Sequence, residues 1–303
     1  MVMKKIAFLI AFVCWFLISP AIAQDIKIVQ FSDIHIDTKI PDKKNRKFAQ
    51  SKYMFETAIQ KVNEMEADIV VISGDMVNRP SSSEFDIFLN SISSLKHLYY
   101  PALGNHDVGV GGGLSKQEIL SKLNAKRNDL NLKKPYYYLV KGDYIFIFMD
   151  GTTDKTITSN GYFSKENLLF LDKTLTNFSD KKAIIVQHFP LIEPIKSSSH
   201  AVLNRDEYFE VLDRHKNVIM LLSGHYHFTG KSIRNNVLHV STPAMIQTPH
   251  AFRYIEVKDC GETLQINSQL YSFEGEPFKH FYSDFEEEID NQLFFKESLK
   301  TVK

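Results

Sequence analysis

From Ile26 onward, short apolar runs alternate with longer stretches of helical spacing. The run "IKIVQFSD" predicts a strand ending at Asp33, because an unbroken apolar run marks a strand covered on both faces. After a polar loop, Phe48, Met54, Phe55, Ile59 and Val62 recur at helical intervals across Lys47–Glu64. "ADIVVISGD" predicts a second buried strand, ending at Asp75. Ser81-Ser82-Ser83-Glu84, ahead of an apolar pattern from Phe85 to Leu95, has the form of a capped helix start. "LYYPALGNHD" predicts a third strand running into a loop, and the glycines of "VGVGGG" loosen the chain beyond it.

The pattern continues with a helix over Ser115–Lys126 and a hairpin joining Tyr136–Val140 to Tyr144–Asp150 across Gly142-Asp143. An amphipathic helix over Ser164–Phe178 leads to the strand "KAIIVQHFP", whose polar end is His188. A helix over Arg205–Arg214 then precedes "NVIMLLSGH", which ends at His225. Beyond Thr229 short strands follow, with turns at Asn235-Asn236 and Asp259–Glu262. The acidic stretch "SDFEEEIDNQLFFKESLKTVK" predicts a helical tail, so that 276–303 is appended to one domain spanning 24–275. Strands separated by helices predict an α/β fold with right-handed crossovers and sheets covered on both faces. In such sheets, sites form beyond the carboxyl ends of the strands.

Composition changes this picture little: 44% hydrophobic and 24% charged residues over 303 positions are ordinary for a globular chain. With 36 basic and 36 acidic residues, nothing favours a nucleic-acid polymer as partner. The first residues stand apart. Lys4 and Lys5 precede "IAFLIAFVCWFLI", and Ser19-Pro20-Ala21-Ile22-Ala23 follows, which is the pattern of a secretory signal peptide over 1–23 cleaved after Ala23. The apolar run of 13 residues falls short of the ~20 a spanning helix needs, so no stable membrane anchor is expected after cleavage. Cleavage implies a secreted or periplasmic protein, with 34 basic and 36 acidic residues remaining. It also removes Cys14 and leaves Cys260 alone, so the exported fold has no internal disulfide.

The polar residues at the strand ends carry the chemistry. The first strand delivers Asp33 and His35, the second Asp75, and the third Asn105, His106 and Asp107 in "GNHD". Later strands deliver His188, then His225 and His227 in "SGHYHF". In an extended chain the last two side chains, at i and i+2, leave on the same side. Singly, each has an ordinary structural role open to it, as a helix cap, a turn or a core polar group. Together, at the same structural slot of five strands, they form a donor set. Carboxylate, imidazole and amide oxygen without thiolate suit Mn, Fe or Zn, and the count exceeds the four donors of one tetrahedral zinc. Two ions ~3.5–4 Å apart can clamp both oxygens of an in-line displacement at phosphorus and supply hydroxide near neutral pH.

The ordered blocks Asp-x-His, Gly-Asp, Gly-Asn-His-Asp, a lone His and Gly-His-x-His, from Asp33 to His227, resemble the calcineurin-like metallophosphoesterase superfamily. The resemblance implies a double β-sheet sandwich flanked by helices, four layers in the order α/β/β/α, enclosing a dinuclear centre. It implies one ion on Asp33, His35 and His227 and a second on Asn105, His188 and His225, with Asp75 bridging. His106 would stabilise charge on the substrate phosphate or protonate the leaving oxygen, with Asp107 orienting its ring. The expected activity is hydrolysis of phosphomonoesters or phosphodiesters, of nucleotides or other small organic phosphates, outside the cytoplasm by metal-activated hydroxide. The alternatives are a cyclic-nucleotide phosphodiesterase and a metal-binding scaffold without catalysis. Purple acid phosphatases carry a tyrosine ligand near the second block; here Met76-Val77-Asn78 follows, which argues against a tyrosinate-bound ferric site. Gly109–Gly113 and Ile192–Asn204, with His200, follow metal-bearing loops and are the candidate substrate contacts.

Overall fold

The computed structural model describes residues 24–276 and 294–301; the expected signal peptide lies outside the described residues. Among the described residues, twelve strands form two six-stranded sheets. The first contains β1 (Ile26–Phe31), β2 (Ile69–Ser73), β3 (Tyr99–Ala102), β10 (Ala251–Asp259), β11 (Thr263–Ser272) and β12 (Phe294–Lys300), in the order β12-β11-β10-β1-β2-β3. The second contains β4 (Tyr137–Lys141), β5 (Tyr144–Phe148), β6 (Lys182–Val186), β7 (Val218–Ser223), β8 (Gly230–Arg234) and β9 (Val237–Ser241), in the order β4-β5-β6-β7-β9-β8. β1, β2 and β3 run parallel, as do β5, β6, β7 and β9. Pro101 is tolerated in β3 because that strand is the edge of its sheet.

Period-two alternation assigns each strand residue to a layer. Ile26 and Ile28 of β1, Ile69 and Val71 of β2, and Phe146 and Phe148 of β5 meet in the core between the sheets. Val29, Phe31, Val70 and Ile72 face the other way, onto α1 (Ser51–Val62), α2 (Ser82–Ile92) and α3 (Lys116–Lys126). Ile145, Ile147 and Ile185 pack against α4 (Lys165–Asn177) and α5 (Arg205–Arg214). The result is the four-layer α/β/β/α sandwich. The runs without polar residues are these doubly covered strands. Helix starts follow their caps: Ser81, Ser115 and Ser164 each accept a backbone N–H in the first turn.

One expectation is corrected. The helical tail over 276–303 is not what Phe294–Lys300 forms; it is β12, paired antiparallel to β11. An open sheet edge offers a row of unpaired backbone groups, and Leu299, 1% exposed, extends the inter-sheet core. Tertiary pairing here overrides local helix preference. Cys260 stands exposed in the β10–β11 turn. Among the described residues, no helix is long and apolar enough to cross a membrane.

Candidate metal centre

The strands stop short of the site, and the loops do the placing. β1 ends at Phe31, β2 at Ser73 and β7 at Ser223, just ahead of Asp33, Asp75 and His225. Asp33, His35, Asp75, His225 and His227 all have positive φ, between 47° and 73°. Such left-handed backbone at non-glycine residues costs about 1–3 kcal/mol each and persists only where the surroundings enforce it. Enforcement is visible: the backbone N–H groups of Asp33 and His35 donate to the carbonyls of Gly74 (3.1 Å) and Asp75 (2.9 Å), locking the first two loops together. The His225 N–H donates to Asp33 Oδ2 at 3.0 Å, which ties the β7 loop to the β1 loop. Gly224 is required by close approach: a Cβ there would lie 2.3 Å from Asp33 Oδ2. His225 and His227 therefore do not share one side of a strand; beyond the strand end the backbone turns them to different neighbours.

Two clusters result. Asp33, His35, Asp75 and His227 bring one donor atom each within 4.8 Å of one another, and Asp75, His188 and His225 do the same. Asp75 belongs to both. Its Oδ2 lies 3.5 Å from His35 Nε2 and 3.2 Å from His188 Nε2, while Oδ1 accepts the His106 N–H at 2.8 Å. His227 Nε2 stands 3.3 Å from Asp33 Oδ1 and 3.1 Å from His35 Nε2. Asn105 Oδ1 joins the second cluster, 3.2 Å from His188 Nε2, and His225 Nδ1 is 3.1 Å from the same nitrogen.

The tautomers test whether cations fit. His188 Nδ1 sits 2.8 Å from the Ser73 carbonyl and must donate to it, so in the neutral ring Nε2 presents a lone pair. That lone pair faces a carboxylate oxygen, an amide oxygen and another imidazole nitrogen. His227 Nδ1 lies 3.1 Å from Gln247 Oε1, which also accepts from Arg46 Nε, so its Nε2 is likewise a lone pair facing a carboxylate. Converging acceptors repel unless a proton or a cation lies among them. The residues fit divalent cations, with outer partners orienting the imidazoles.

Electrostatics follow from burial. Burial alone pushes the Asp33 carboxyl up, but His227 and His35 outweigh it and hold Asp33 well below the usual carboxylate range. Asp75 is lowered in the same way, with His188 and His106 opposing its burial. Burial pulls His35 down to about 4 and His225 down to about 3, so both are neutral donors near pH 7. His188 is the exception: burial lowers it, but the Asp75 charge prevails and raises it to about 9.

His106 stands at the lip, half-buried, its ring edge-on to His35 at 4.7 Å between centroids. Here the expected Asp107 contact is corrected. His106 Nδ1 is 2.7 Å from the Asn78 carbonyl, which holds the ring and leaves Nε2 as the uncommitted nitrogen of a residue that lines the cleft. Asp107, fully buried, instead accepts backbone N–H groups from Val77 (3.1 Å) and Gly104 (2.8 Å) with its two oxygens. Its carboxyl braces the loop rather than the ring. Two unsatisfied backbone donors attracted it more strongly than a ring already held by a carbonyl. Of the candidate substrate loops, Ile195, Ser197 and His200 line the cleft over the metal centre, and Gly112 lines a neighbouring one. Sequence reasoning missed Arg46, Gln247 and the Asn78 carbonyl. Arg46 lay in a basic run read as a plain loop, while Gln247 and Asn78 carry no motif.

The sequence model for calcineurin-like phosphoesterases matches residues 26–228, which takes in every residue of the two clusters. The chain belongs to the calcineurin-like phosphoesterase family. It is a metal-dependent phosphoric ester hydrolase. Among its relatives in this family, a probable cyclic nucleotide phosphodiesterase of Moraxella catarrhalis is 28% identical over 66% of this chain and 70% of its own length. A probable glycerophosphodiester phosphodiesterase of Arcobacter nitrofigilis is 25% identical over 70% of this chain and 75% of its own. The fold superposes on a dimetal phosphatase from Danio rerio with a TM-score of 0.65 at 16% identity, covering 80% of this chain and 95% of that one. That phosphatase shares the sandwich, and the donor clusters of this chain suit divalent ions.

Proposed function

We propose that the chain is an exported phosphoesterase with a pair of divalent ions, hydrolysing phosphomonoesters or phosphodiesters of small organic alcohols. The observation that carries the reading is Asp75, whose carboxylate belongs to both donor clusters at once. One ion would be held by Asp33, His35 and His227, the other by Asn105, His188 and His225, with Asp75 between them. Bound there, divalent cations supply Lewis acidity at phosphoryl oxygens and a hydroxide nucleophile near neutral pH. His106 acts from the protein side. With Nδ1 held by the Asn78 carbonyl, Nε2 is the atom free to meet substrate, donating to a phosphoryl or leaving oxygen when protonated. Asp75 Oδ1 holds the His106 backbone N–H, which couples the position of this acid to that of the centre. Export is supported by the basic, apolar and Ala-x-Ala order of residues 1–23.

A second reading, cyclic-nucleotide hydrolysis, is favoured by the name of the Moraxella relative. A panel of phosphomonoesters, phosphodiesters and cyclic nucleotides, assayed with added Mn, tests both. The proposal expects metal-dependent turnover of linear esters at least as fast as of cyclic ones. A strong preference for cyclic nucleotides would replace it with the second reading, and no metal-dependent turnover would refute both. Amino-terminal sequencing of the protein recovered from the periplasm or medium should begin at Gln24.

A further inference from the structure

The site opens into two clefts that share Asn105, His106 and Ser159. The first, about 280 Å³, contains Asp75, His225 and His227, and Arg46 lines it. The second, about 600 Å³, runs past Thr153, Thr156, Thr158 and Asn160, and no carboxylate, lysine or arginine of the described residues lines it. A reacting phosphorus at the junction therefore has one flank that carries Arg46 and one that is rich in hydroxyls.

Arg46 is firmly based. Its hairpin closes on itself, with Lys43 N donating to Arg46 O at 2.9 Å and Arg46 N to Lys43 O at 2.7 Å. Lys47 N donates to Ile246 O at 2.7 Å, and Phe48 packs on Ala244 and Ile246, which anchors the hairpin to the body. Among the described residues, the side chain is fixed at one point, by Nε donating to Gln247 Oε1 at 3.0 Å. The remaining guanidinium nitrogens form the fork that suits a carboxylate or phosphate. Lys43 and Lys44 precede it in the chain, and Lys47 Nζ stands 3.5 Å from Asp42 Oδ2. The Asp42 carboxylate also accepts from Ala49 N at 3.1 Å and Gln50 Nε2 at 2.8 Å. Among the described residues, Arg46 is the one arginine or lysine that lines the first cleft.

Resting on the phosphoesterase reading above, we propose that Arg46 determines specificity by selecting phosphodiesters whose one arm ends in a second anionic group. The other arm, uncharged and polar, occupies the hydroxyl-lined cleft. The ligand chemistry is a carboxylate or a phosphate-like dianion.

Three p-nitrophenyl diesters test it, their second arm being propyl, carboxypropyl or phosphonopropyl; the phosphonate cannot itself be cleaved as an ester. The metal-loaded enzyme should bind at least one anionic arm with a KM roughly tenfold below that of the propyl ester, about what one charge-assisted contact contributes. The two anionic arms distinguish a carboxylate from a phosphate-like group. In Arg46→Met the KM ratio should fall toward one, with Arg46→Lys retaining part of it. A disturbance passed through Gln247 to His227 would change all three substrates alike and leave the ratio standing. Because the ratio is internal to each variant, partial misfolding does not imitate the effect, and Arg46→Lys preserves the charge should the Met variant fail to fold. Equal KM values for the three esters, or a ratio unaltered in Arg46→Met, would overturn the assignment while leaving the phosphoesterase reading intact. Hydrolysis of none of the three would overturn the assignment and confine the reading above to phosphomonoesters.

Discussion

His35 Nε2 and His227 Nε2 lie 3.1 Å apart although 192 positions separate them in the chain. Gln247 takes the Nδ1 proton of His227 and so aims the Nε2 lone pair at this meeting point. Removing that acceptor frees the ring to rotate and to change tautomer. Gln247→Leu should weaken metal affinity by roughly 10–100-fold, the usual consequence of losing an outer partner of a histidine ligand. Metal titration followed by calorimetry checks this; affinity equal to that of the wild type would remove Gln247 from the site.

Asp75 faces both clusters, so its loss should be felt on both sides. Asp75→Asn keeps the shape and the acceptor Oδ1 but removes the charge between the proposed ions. Elemental analysis after dialysis should find both ions depleted. Two tightly held ions in this variant would rule out a bridging carboxylate.

His106 belongs to neither donor cluster, and its Nδ1 is committed to Asn78. His106→Ala should therefore retain its metal content while kcat falls about 10²–10⁴-fold, the range of a general acid. An unchanged kcat would exclude it from the chemistry. Asp107→Asn, by contrast, should act on stability first, because its carboxyl braces backbone N–H groups of Val77 and Gly104.

The raised His188 yields a pH signature. Burial lowers it, yet Asp75 lifts it to about 9 in the metal-free chain, above the ~6.5 of an unfolded histidine. A group raised on folding stabilises fully below its unfolded pKa, and that contribution is lost as pH climbs through the folded one. Metal-free protein should thus melt at progressively lower temperature between pH ~6.5 and ~9. Metal-loaded protein, with no proton left on His188 Nε2, should show no such decline. Parallel melting curves in chelator and in Mn settle it; a flat metal-free profile contradicts the account.

Much of the fold was legible because the central strands are covered on both faces, and unbroken apolar runs such as "IVVIS" have few other structural meanings. The strand ends pointed to the donors for the same reason: a polar residue closing an apolar run stands where the sheet opens. Three things were not legible. The left-handed backbone at His225 and His227 sends the pair to different neighbours, and strand alternation does not anticipate it. Asp107 turns from the His106 ring to backbone donors that no motif displays. β12 owes its form to the edge of β11 rather than to its own residues, so Phe294–Lys300, expected in a helical tail, is a strand. Arg46 was visible as a letter in a basic run, but only the bridge between its hairpin and Gln247 carries it to the centre.

The most direct test strips the purified protein with chelator and titrates Mn back while following hydrolysis of a p-nitrophenyl phosphodiester. Activity should be absent without metal and return as occupancy rises to two ions per chain. Hydrolysis persisting in the stripped protein, or full activity with a single ion bound, would contradict a reaction run by two cations sharing Asp75.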